Sequence, residues 1–207
     1  MKKYLSSYKL GDNPEKLVEL FGENKKIAFI ANTCDMYSDK NEKDERESSD
    51  ISDLRKIGLD IEYLDLKNYF GKKTKLRNKL QEFGGVFVCG GNVFVLRQAY
   101  KLSGLDDILI NYEKNNPDFV YSGYSAGICI LAPSLKGLDI VDDPNVFPYD
   151  DIQETIWEGL DILHYSISPH YDSDHPESED IEKEIQYCIK NKILFKALRD
   201  GEVIIYD

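Results

Sequence analysis

Short apolar runs alternate along the chain with segments in which apolar residues recur every three or four positions. The runs predict strands over 26–32, 60–66, 85–90, 118–123 and 162–168. The periodic segments predict helices over 44–57, 74–82, 92–102, 105–116, 126–132 and 178–191. At the end of the chain, Asp200-Gly201 within 196–207 predicts the turn of a C-terminal β-hairpin.

This alternation of strands and helices indicates the α/β class. Residues 27–30 and 86–89 are continuously apolar, which is typical of strands covered on both faces in a parallel sheet. We therefore expect a doubly wound, mostly parallel sheet sandwiched by helices. Because the 207 residues contain no internal repeat and no linker-like segment, 1–207 is predicted to form one domain. Ligands of such folds bind beyond the carboxyl ends of the strands.

The segment 38–50 is densely charged and nearly free of apolar residues. A solvated loop that runs into a helix is the simpler interpretation. A flap that covers a binding site is the alternative, since long charged connections often carry function.

Composition and charge exclude several classes of protein. The chain has 26 basic and 38 acidic residues, a net charge of −12, whereas a general nucleic-acid binder needs a basic surface. No apolar run reaches the roughly 18 residues of a membrane span, and residues 1–14 lack the apolar stretch of a signal peptide. The four cysteines form neither a Cys-x-x-Cys pair nor a cluster with histidine. We expect a reduced, cytoplasmic protein that binds neither nucleic acid nor membrane.

The sequence Gly123-Tyr124-Ser125-Ala126-Gly127 follows a predicted strand and precedes a predicted helix. It matches G-x-S-x-G, in which a serine stands exposed on a strained turn between the two elements. Small flanking residues avoid collisions there, and the start of the helix can stabilise an oxyanion. Ser125 is therefore a candidate nucleophile. The alternative is an ordinary serine in a glycine-rich bend.

A nucleophilic serine needs a base, and the chain offers three histidines. His164 lies inside a predicted strand, and His175 lies in a polar loop. His170 follows Pro169 at a strand end, where the fixed backbone of proline would direct the imidazole to the carboxyl edge of the sheet. His170 is thus the favoured base. The acid that would orient it stays open among several carboxylates: Asp139, Asp142, Asp143, Asp150, Asp151 and Asp172.

A second glycine-rich junction, Gly90-Gly91-Asn92, lies between a predicted strand and helix. Its backbone can approach a ligand closely and supply a second oxyanion donor. The alternative, purely structural interpretation is a βα turn in which Asn92 is the helix N-cap. The turn could also have both roles, as a helix cap and as an oxyanion donor. The loop matches neither a dinucleotide-binding pattern nor a Walker motif, so no nucleotide cofactor is predicted. No metal is predicted either.

Three motifs occur in order: "CGGNVFVL" at 89–96, "SGYSAG" at 122–127 with Pro133 after it, and "SPHY" at 168–171. Together they resemble the peptidase E family of serine peptidases, which are aspartyl dipeptidases with the class I glutamine-amidotransferase-like fold. The resemblance implies Ser125 as nucleophile, His170 as base, Asp139 as orienting acid, and the Gly91 and Ala126 N–H groups as oxyanion hole.

The chain departs from the family pattern near the acid and in the specificity pocket. The family aspartate follows an asparagine, whereas this chain has "GLDIVDD", so Asp142 competes with Asp139. Family enzymes carry an arginine downstream of the histidine, but no arginine lies between His170 and Arg199. Lys183 could supply a point charge instead. Asn92 and Tyr124, beside the two glycine-rich motifs, are further candidates for substrate contact.

The function expected from these features is a serine peptidase, acting as a monomer or homodimer, that cleaves short peptides near their amino terminus through an acyl-enzyme. It would need no cofactor. An esterase or amidase for small acyl compounds is an alternative, and so is a non-catalytic binding protein that keeps the fold.

Overall fold

The computed structural model describes residues 1–37 and 39–207. Its helices are α1 (Pro14–Phe21), α2 (Lys40–Lys56), α3 (Lys73–Leu80), α4 (Val93–Ser103), α5 (Leu105–Asn115), α6 (Ala126–Cys129) and α7 (Ser178–Asn191). Its strands are β1 (Lys2–Ser6), β2 (Lys26–Ile30), β3 (Asp60–Tyr63), β4 (Gly85–Val88), β5 (Val120–Tyr124), β6 (Ser166–Ser168), β7 (Phe195–Ala197) and β8 (Val203–Tyr206). The predicted helices and strands other than the hairpin all have counterparts, whereas β1 and α1 were not predicted.

A six-stranded sheet in the order β3-β2-β4-β5-β1-β8 forms the centre of the described chain. All neighbouring strands are parallel except β8, which runs antiparallel to β1. This arrangement confirms the predicted α/β class and mostly parallel sheet. A separate two-stranded parallel sheet pairs β6 with β7.

The sheet is covered on both faces because its inner strands are apolar at successive positions. Along β2, Ala28 and Ile30 join one hydrophobic cluster, while Ile27 and Phe29 join the other. This is the alternation that strand geometry imposes. Side chains of α3 to α6 complete the first cluster, and side chains of α1 and α2 complete the second.

The predicted C-terminal hairpin is wrong. A turn does form, in which Glu202 N donates to Arg199 O at 3.0 Å. The strands on either side belong to different sheets, however, because β7 pairs with β6 whereas β8 pairs with β1. The free edge of β1, a strand not expected from its mixed polar sequence, accepts β8. This turn consequently lies beside the end of β1, where Ser7 N donates to Glu202 O at 3.0 Å.

The predicted strand over 162–168 forms only as β6, over Ser166–Ser168. The backbone N–H groups of Ile162 and Leu163 both donate to Leu131 O, at 3.0 Å each, so this part of the chain is tied to the segment after α6. The remaining strand leads directly into the "SPHY" motif.

One buried carboxylate connects three segments on this side of the molecule. Asp35 accepts hydrogen bonds from Asn32 (2.7 Å), Tyr149 (2.6 Å) and Lys67 (2.9 Å), and it also pairs with Lys43 of α2. Burial opposes its ionisation, but these donors, Lys43 foremost, hold the pKa of Asp35 below its usual range.

We expect Asp35→Asn to lower the free energy of unfolding by about 2 kcal/mol at neutral pH, because charged hydrogen bonds are lost. The pKa of Asp35 is lower in the folded than in the unfolded protein, where it is near 4. The contribution of Asp35 to the free energy of unfolding is therefore complete above the unfolded-state pKa and is lost as the pH falls through the folded-state pKa. Urea unfolding at neutral pH and at about pH 3 measures both effects. Asp118→Asn, at an exposed turn, is the control, and an equal deficit at both pH values would contradict the prediction.

Candidate active site

The turn between β5 and α6 holds Ser125 in a backbone conformation that serine rarely adopts. Its φ is 50° and its ψ is −123°. Such a left-handed residue is strained and persists only where the surroundings fix it. Ser125 N donates to Ser7 O at 3.2 Å, and Ser125 O accepts from Ile128 N at 2.9 Å. The local geometry is that of the strand-to-helix turn expected from the motif.

The two glycines that flank Ser125 are required by the neighbouring strand. A Cβ atom at Gly123 or at Gly127 would lie 2.4 Å from the carbonyl oxygen of Val88, in β4. Real Cβ atoms do not approach so closely, so only glycine fits at both positions. This chain therefore meets the steric requirement of the G-x-S-x-G motif, which is for small residues on both sides of the serine.

His170 lies beside the same edge of the sheet, with a φ of 60° and an imidazole buried by its neighbours. Its backbone N donates to Ser7 Oγ at 2.8 Å, and its Nδ1 lies 2.7 Å from Asp200 Oδ1. A carboxylate can only accept, so Nδ1 carries the proton and Nε2 keeps its lone pair.

Burial lowers the pKa of His170, and the neighbouring His175 lowers it further, while the hydrogen bond and charge of Asp200 raise it in part. The net direction is downward, so the imidazole is neutral at neutral pH. A neutral, oriented imidazole is the state that a general base requires.

The carboxylate that hydrogen-bonds the Nδ1 of His170 is Asp200, which corrects the assignment of Asp139. Asp139 is exposed, and its Oδ1 accepts from Gly137 N at 2.9 Å within its own turn. Asp172, another candidate, pairs with Arg199 at 2.8 Å at the surface. Asp200, 30 residues beyond His170, was not predicted from the sequence because its segment was expected to form the tip of a hairpin.

Asp142, the competitor of Asp139, lies elsewhere in the site. Its Oδ2 accepts from Val93 N at 2.8 Å, at the start of α4. Burial raises the pKa of Asp142 to about 7, with the Val93 N–H opposing this shift and the charge of Glu177 adding to it. Asp142 therefore belongs to the glycine-rich loop before α4 rather than to the histidine.

That loop brings Gly91 to the cavity with a φ of 138°, and a Cβ there would lie 2.9 Å from atoms of Thr33. Ala126, the first residue of α6, is buried beside Ser125.

Asn92, which follows Gly91 in the chain, caps α4 by accepting from Phe94 N (2.8 Å) and Val95 N (3.0 Å). Its Nδ2 donates to Asp143 O at 2.9 Å, and the residue is buried and does not line the cavity. The cap interpretation of Asn92 is correct, and its assignment to substrate contact is wrong.

A cavity of about 340 Å³ opens over this arrangement at the carboxyl edge of the sheet. Gly91, Tyr124, Ser125, Asp142 and His170 line it together. Tyr124 closes one side, where its hydroxyl donates to Asp50 Oδ2 at 2.7 Å. Lys183 lies outside, exposed on α7 and paired with Asp180 at 2.6 Å, so its assignment to substrate contact is wrong.

The charged segment 38–50, whose position 38 lies outside the described residues, also contributes to the cavity. Glu45, Arg46 and Asp50 of α2 line it, and so does Lys9, whose Nζ donates to Ser49 Oγ of α2 at 3.3 Å. Sequence reasoning missed Arg46 because a charged helix is normally a solvated one. Arg46 donates to Tyr37 Oη at 2.7 Å.

One group of described side chains could hold a metal ion. His170, His175 and Glu177 bring three potential ligand atoms within 4.8 Å of one another. Among residues 1–37 and 39–207, no helix combines the length and apolar character needed to cross a bilayer.

Comparison with protein families gives a match over nearly the whole chain. The model described as Peptidase family S51 matches residues 6–207. An uncharacterized peptidase of Listeria monocytogenes is 28% identical over 120 residues, which are 58% of this chain and 55% of the relative. Peptidase E of Streptomyces coelicolor is 30% identical over 131 residues, 59% of this chain and 49% of the relative. The chain spans about half the length of the curated relatives it matches.

Two solved structures share the fold. One, provisionally described as a peptidase E protein of Listeria monocytogenes EGD-e, has a TM-score of 0.72 at 22% identity and covers 99% of this chain and 97% of that chain. A peptidase from an acI-B1 actinobacterium has a TM-score of 0.67 at 13% identity, covering 99% and 82%. These likenesses support the predicted α/β fold of the class I glutamine-amidotransferase type.

We expect Asp200→Asn to lower the pKa of His170 further, because the carboxylate stabilises the imidazolium. Titration of ¹⁵N-histidine-labelled protein, followed by NMR, measures this directly and without a substrate. Asp139→Asn is the matched control and should leave the His170 titration unchanged. A shift with Asp139→Asn but not with Asp200→Asn would contradict the contact described here.

Proposed function

The chain belongs to peptidase family S51, and from that premise we propose that it is a serine peptidase that cleaves short peptides near their amino terminus. One observation carries the proposal. The strained Ser125 and the neutral, Asp200-oriented His170 line one cavity at the carboxyl edge of the sheet.

In the proposed reaction, Ser125 Oγ attacks the carbonyl carbon of the scissile bond, and His170 Nε2 accepts the hydroxyl proton. Asp200 holds the Nδ1–H group and stabilises the imidazolium that forms. His170 then donates the proton to the leaving amine. Water, activated by the same imidazole, hydrolyses the acyl-enzyme.

The tetrahedral intermediate carries a negative oxygen that needs donors. In the proposal these are the backbone N–H groups of Ala126, at the start of α6, and of Gly91, in the facing loop. The positive φ of Gly91 and its close approach to Thr33 support this role, since no side chain fits there. Removal of one such donor typically slows acyl transfer by about 10²–10³-fold.

Charges around the cavity fit a substrate with a free amino terminus. Asp142 and Asp50 line the same cavity as Ser125, and so do the basic residues Lys9 and Arg46, so that groups of both charges are available to a substrate. We propose that Asp142 receives the substrate ammonium, because it lines the cavity together with Ser125 and is held at the Gly91 loop by the Val93 N–H group. Arg46 is the candidate partner for a substrate carboxylate, in place of the arginine that family enzymes carry downstream of the histidine.

A non-catalytic binding protein is the second candidate. Within residues 1–37 and 39–207, no hydrogen bond joins Ser125 Oγ to His170 Nε2, which is the contact that proton transfer needs. In free enzymes such contacts are often long and shorten when substrate binds. Reactivity of Ser125 therefore separates the two candidates.

We expect a small fluorophosphonate to add once to the protein, at Ser125, as measured by intact mass and peptide mapping. Ser125→Ala should abolish the adduct. His170→Ala should slow labelling by about 10²–10⁴-fold, because the base is lost. Ser134→Ala, at a serine outside the cavity, is the control and should react like the wild type. An unlabelled wild type, beside a serine hydrolase that reacts in the same tube, would favour the binding protein.

We further expect N-acetylation of a cleaved peptide to lower kcat/KM by about 10- to 100-fold, the value of a hydrogen bond to a charged group. Asp142→Asn should reduce this difference by slowing cleavage of the free peptide alone. Asp139→Asn is the matched control, because its carboxylate lies outside the cavity. Equal sensitivity of wild type and Asp142→Asn to acetylation would show that another group binds the ammonium.

A further inference from the structure

The turn after β6 presents an unused histidine and glutamate to the proposed base. The rings of His170 and His175 stack with their centroids 3.7 Å apart and their planes 6° apart. His170 Nε2 lies 3.9 Å from Glu177 Oε2. The reaction described above uses neither His175 nor Glu177, although both line the cavity.

We propose that His170, His175 and Glu177 form a binding site for a divalent transition-metal ion of the zinc type, and that the bound ion blocks His170 as a base. The site itself is independent of the proposed function. Its inhibitory consequence rests on that function, because the ion would occupy the Nε2 lone pair that accepts the serine proton.

The distances are close to those of an occupied site. Nitrogen and oxygen ligands lie about 2.0–2.2 Å from zinc, so two ligands of a tetrahedral ion are about 3.4 Å apart. The 3.9 Å between His170 Nε2 and Glu177 Oε2 needs only a small closure. Glu177 has a side chain that is 43% exposed and can supply this movement. His175 is half-buried, and its Nδ1 accepts a hydrogen bond from Glu177 N at 3.3 Å. To bind the same ion, its ring must tilt out of the parallel stack and the Nδ1 lone pair must exchange this hydrogen bond for the metal.

The turn that carries these ligands is held by its own hydrogen bonds. Ser173 Oγ donates to Tyr171 O at 3.0 Å and accepts from Asp200 N at 2.8 Å. Ser178 N donates to His175 O at 3.0 Å. The backbone is therefore fixed, and metal binding needs side-chain movements only.

The surroundings of His170 also favour a metal. Zinc-bound histidines commonly donate their other ring N–H to a carboxylate, which fixes the tautomer and strengthens the ligand. Asp200 holds His170 in this way and leaves Nε2 to bind. Two imidazoles and one carboxylate suit zinc or copper, whereas magnesium and calcium prefer oxygen ligands alone.

Direct binding tests the site without reference to catalysis. Co²⁺ alone, followed by its visible absorption, and Zn²⁺ alone, followed by calorimetry, are titrated into the full chain after removal of any affinity tag. We expect one ion per chain and an affinity at least 10-fold lower in His175→Ala and in Glu177→Gln. His164→Ala, which removes the remaining histidine of the chain, is the control and should bind like the wild type.

Fluorophosphonate labelling with and without Zn²⁺ tests the consequence. We expect saturating Zn²⁺ to slow labelling of the wild type at least 10-fold. For His175→Ala and Glu177→Gln, the labelling rates with and without Zn²⁺ should differ by a smaller factor. Unchanged affinity in both variants would overturn the site, and binding without slower labelling would overturn the block of His170. If metal binds as expected but no protein is labelled even without metal, the hydrolase proposal fails while the site stands.

Discussion

The geometry of the site depends on one serine at the end of the first strand. Ser7 O accepts from Ser125 N at 3.2 Å, and Ser7 Oγ accepts from His170 N at 2.8 Å. The same hydroxyl lies 2.9 Å from Asp200 Oδ1, to which it donates. Three segments that are far apart in sequence therefore meet on one residue, which is itself buried. Because β1 is hydrogen-bonded between β5 and β8, the sheet fixes the position of Ser7.

Local chemistry explains which parts could be predicted from the sequence. The turn at Ser125 is specified by adjacent residues, since Gly123 and Gly127 are needed to avoid Val88, and His170 directly follows a strand. Asp200 could not be found in this way, because its position depends on β7 and β8 joining different sheets. Arg46 and Asp50 were missed for a similar reason. A highly charged helix carries no sequence sign that one of its faces lines a cavity.

The positions of the acids follow from the fold rather than from their distance to the serine in sequence. Asp139 and Asp142 both come from the segment after α6, but only Asp142 reaches the beginning of α4, where it accepts from Val93 N. Asp200 comes from the turn beside the end of β1 and reaches the Nδ1 edge of His170. Because Asp142 and Asp200 have different surroundings, the two carboxylates can serve different roles.

The raised pKa of Asp142 has a consequence for substrate binding. With a pKa of about 7, its carboxyl is divided between the neutral and the ionised form at neutral pH. An ammonium group placed against it stabilises the ionised form, so its pKa falls and a proton leaves the carboxyl on binding. A neutral acyl compound gives no such stabilisation and leaves the carboxyl with the hydrogen bond from Val93 N. Under the proposal that Asp142 receives the substrate ammonium, the pair would form away from bulk water, where the attraction between opposite charges is stronger, and this would favour a cationic amino terminus over a neutral ester of similar size.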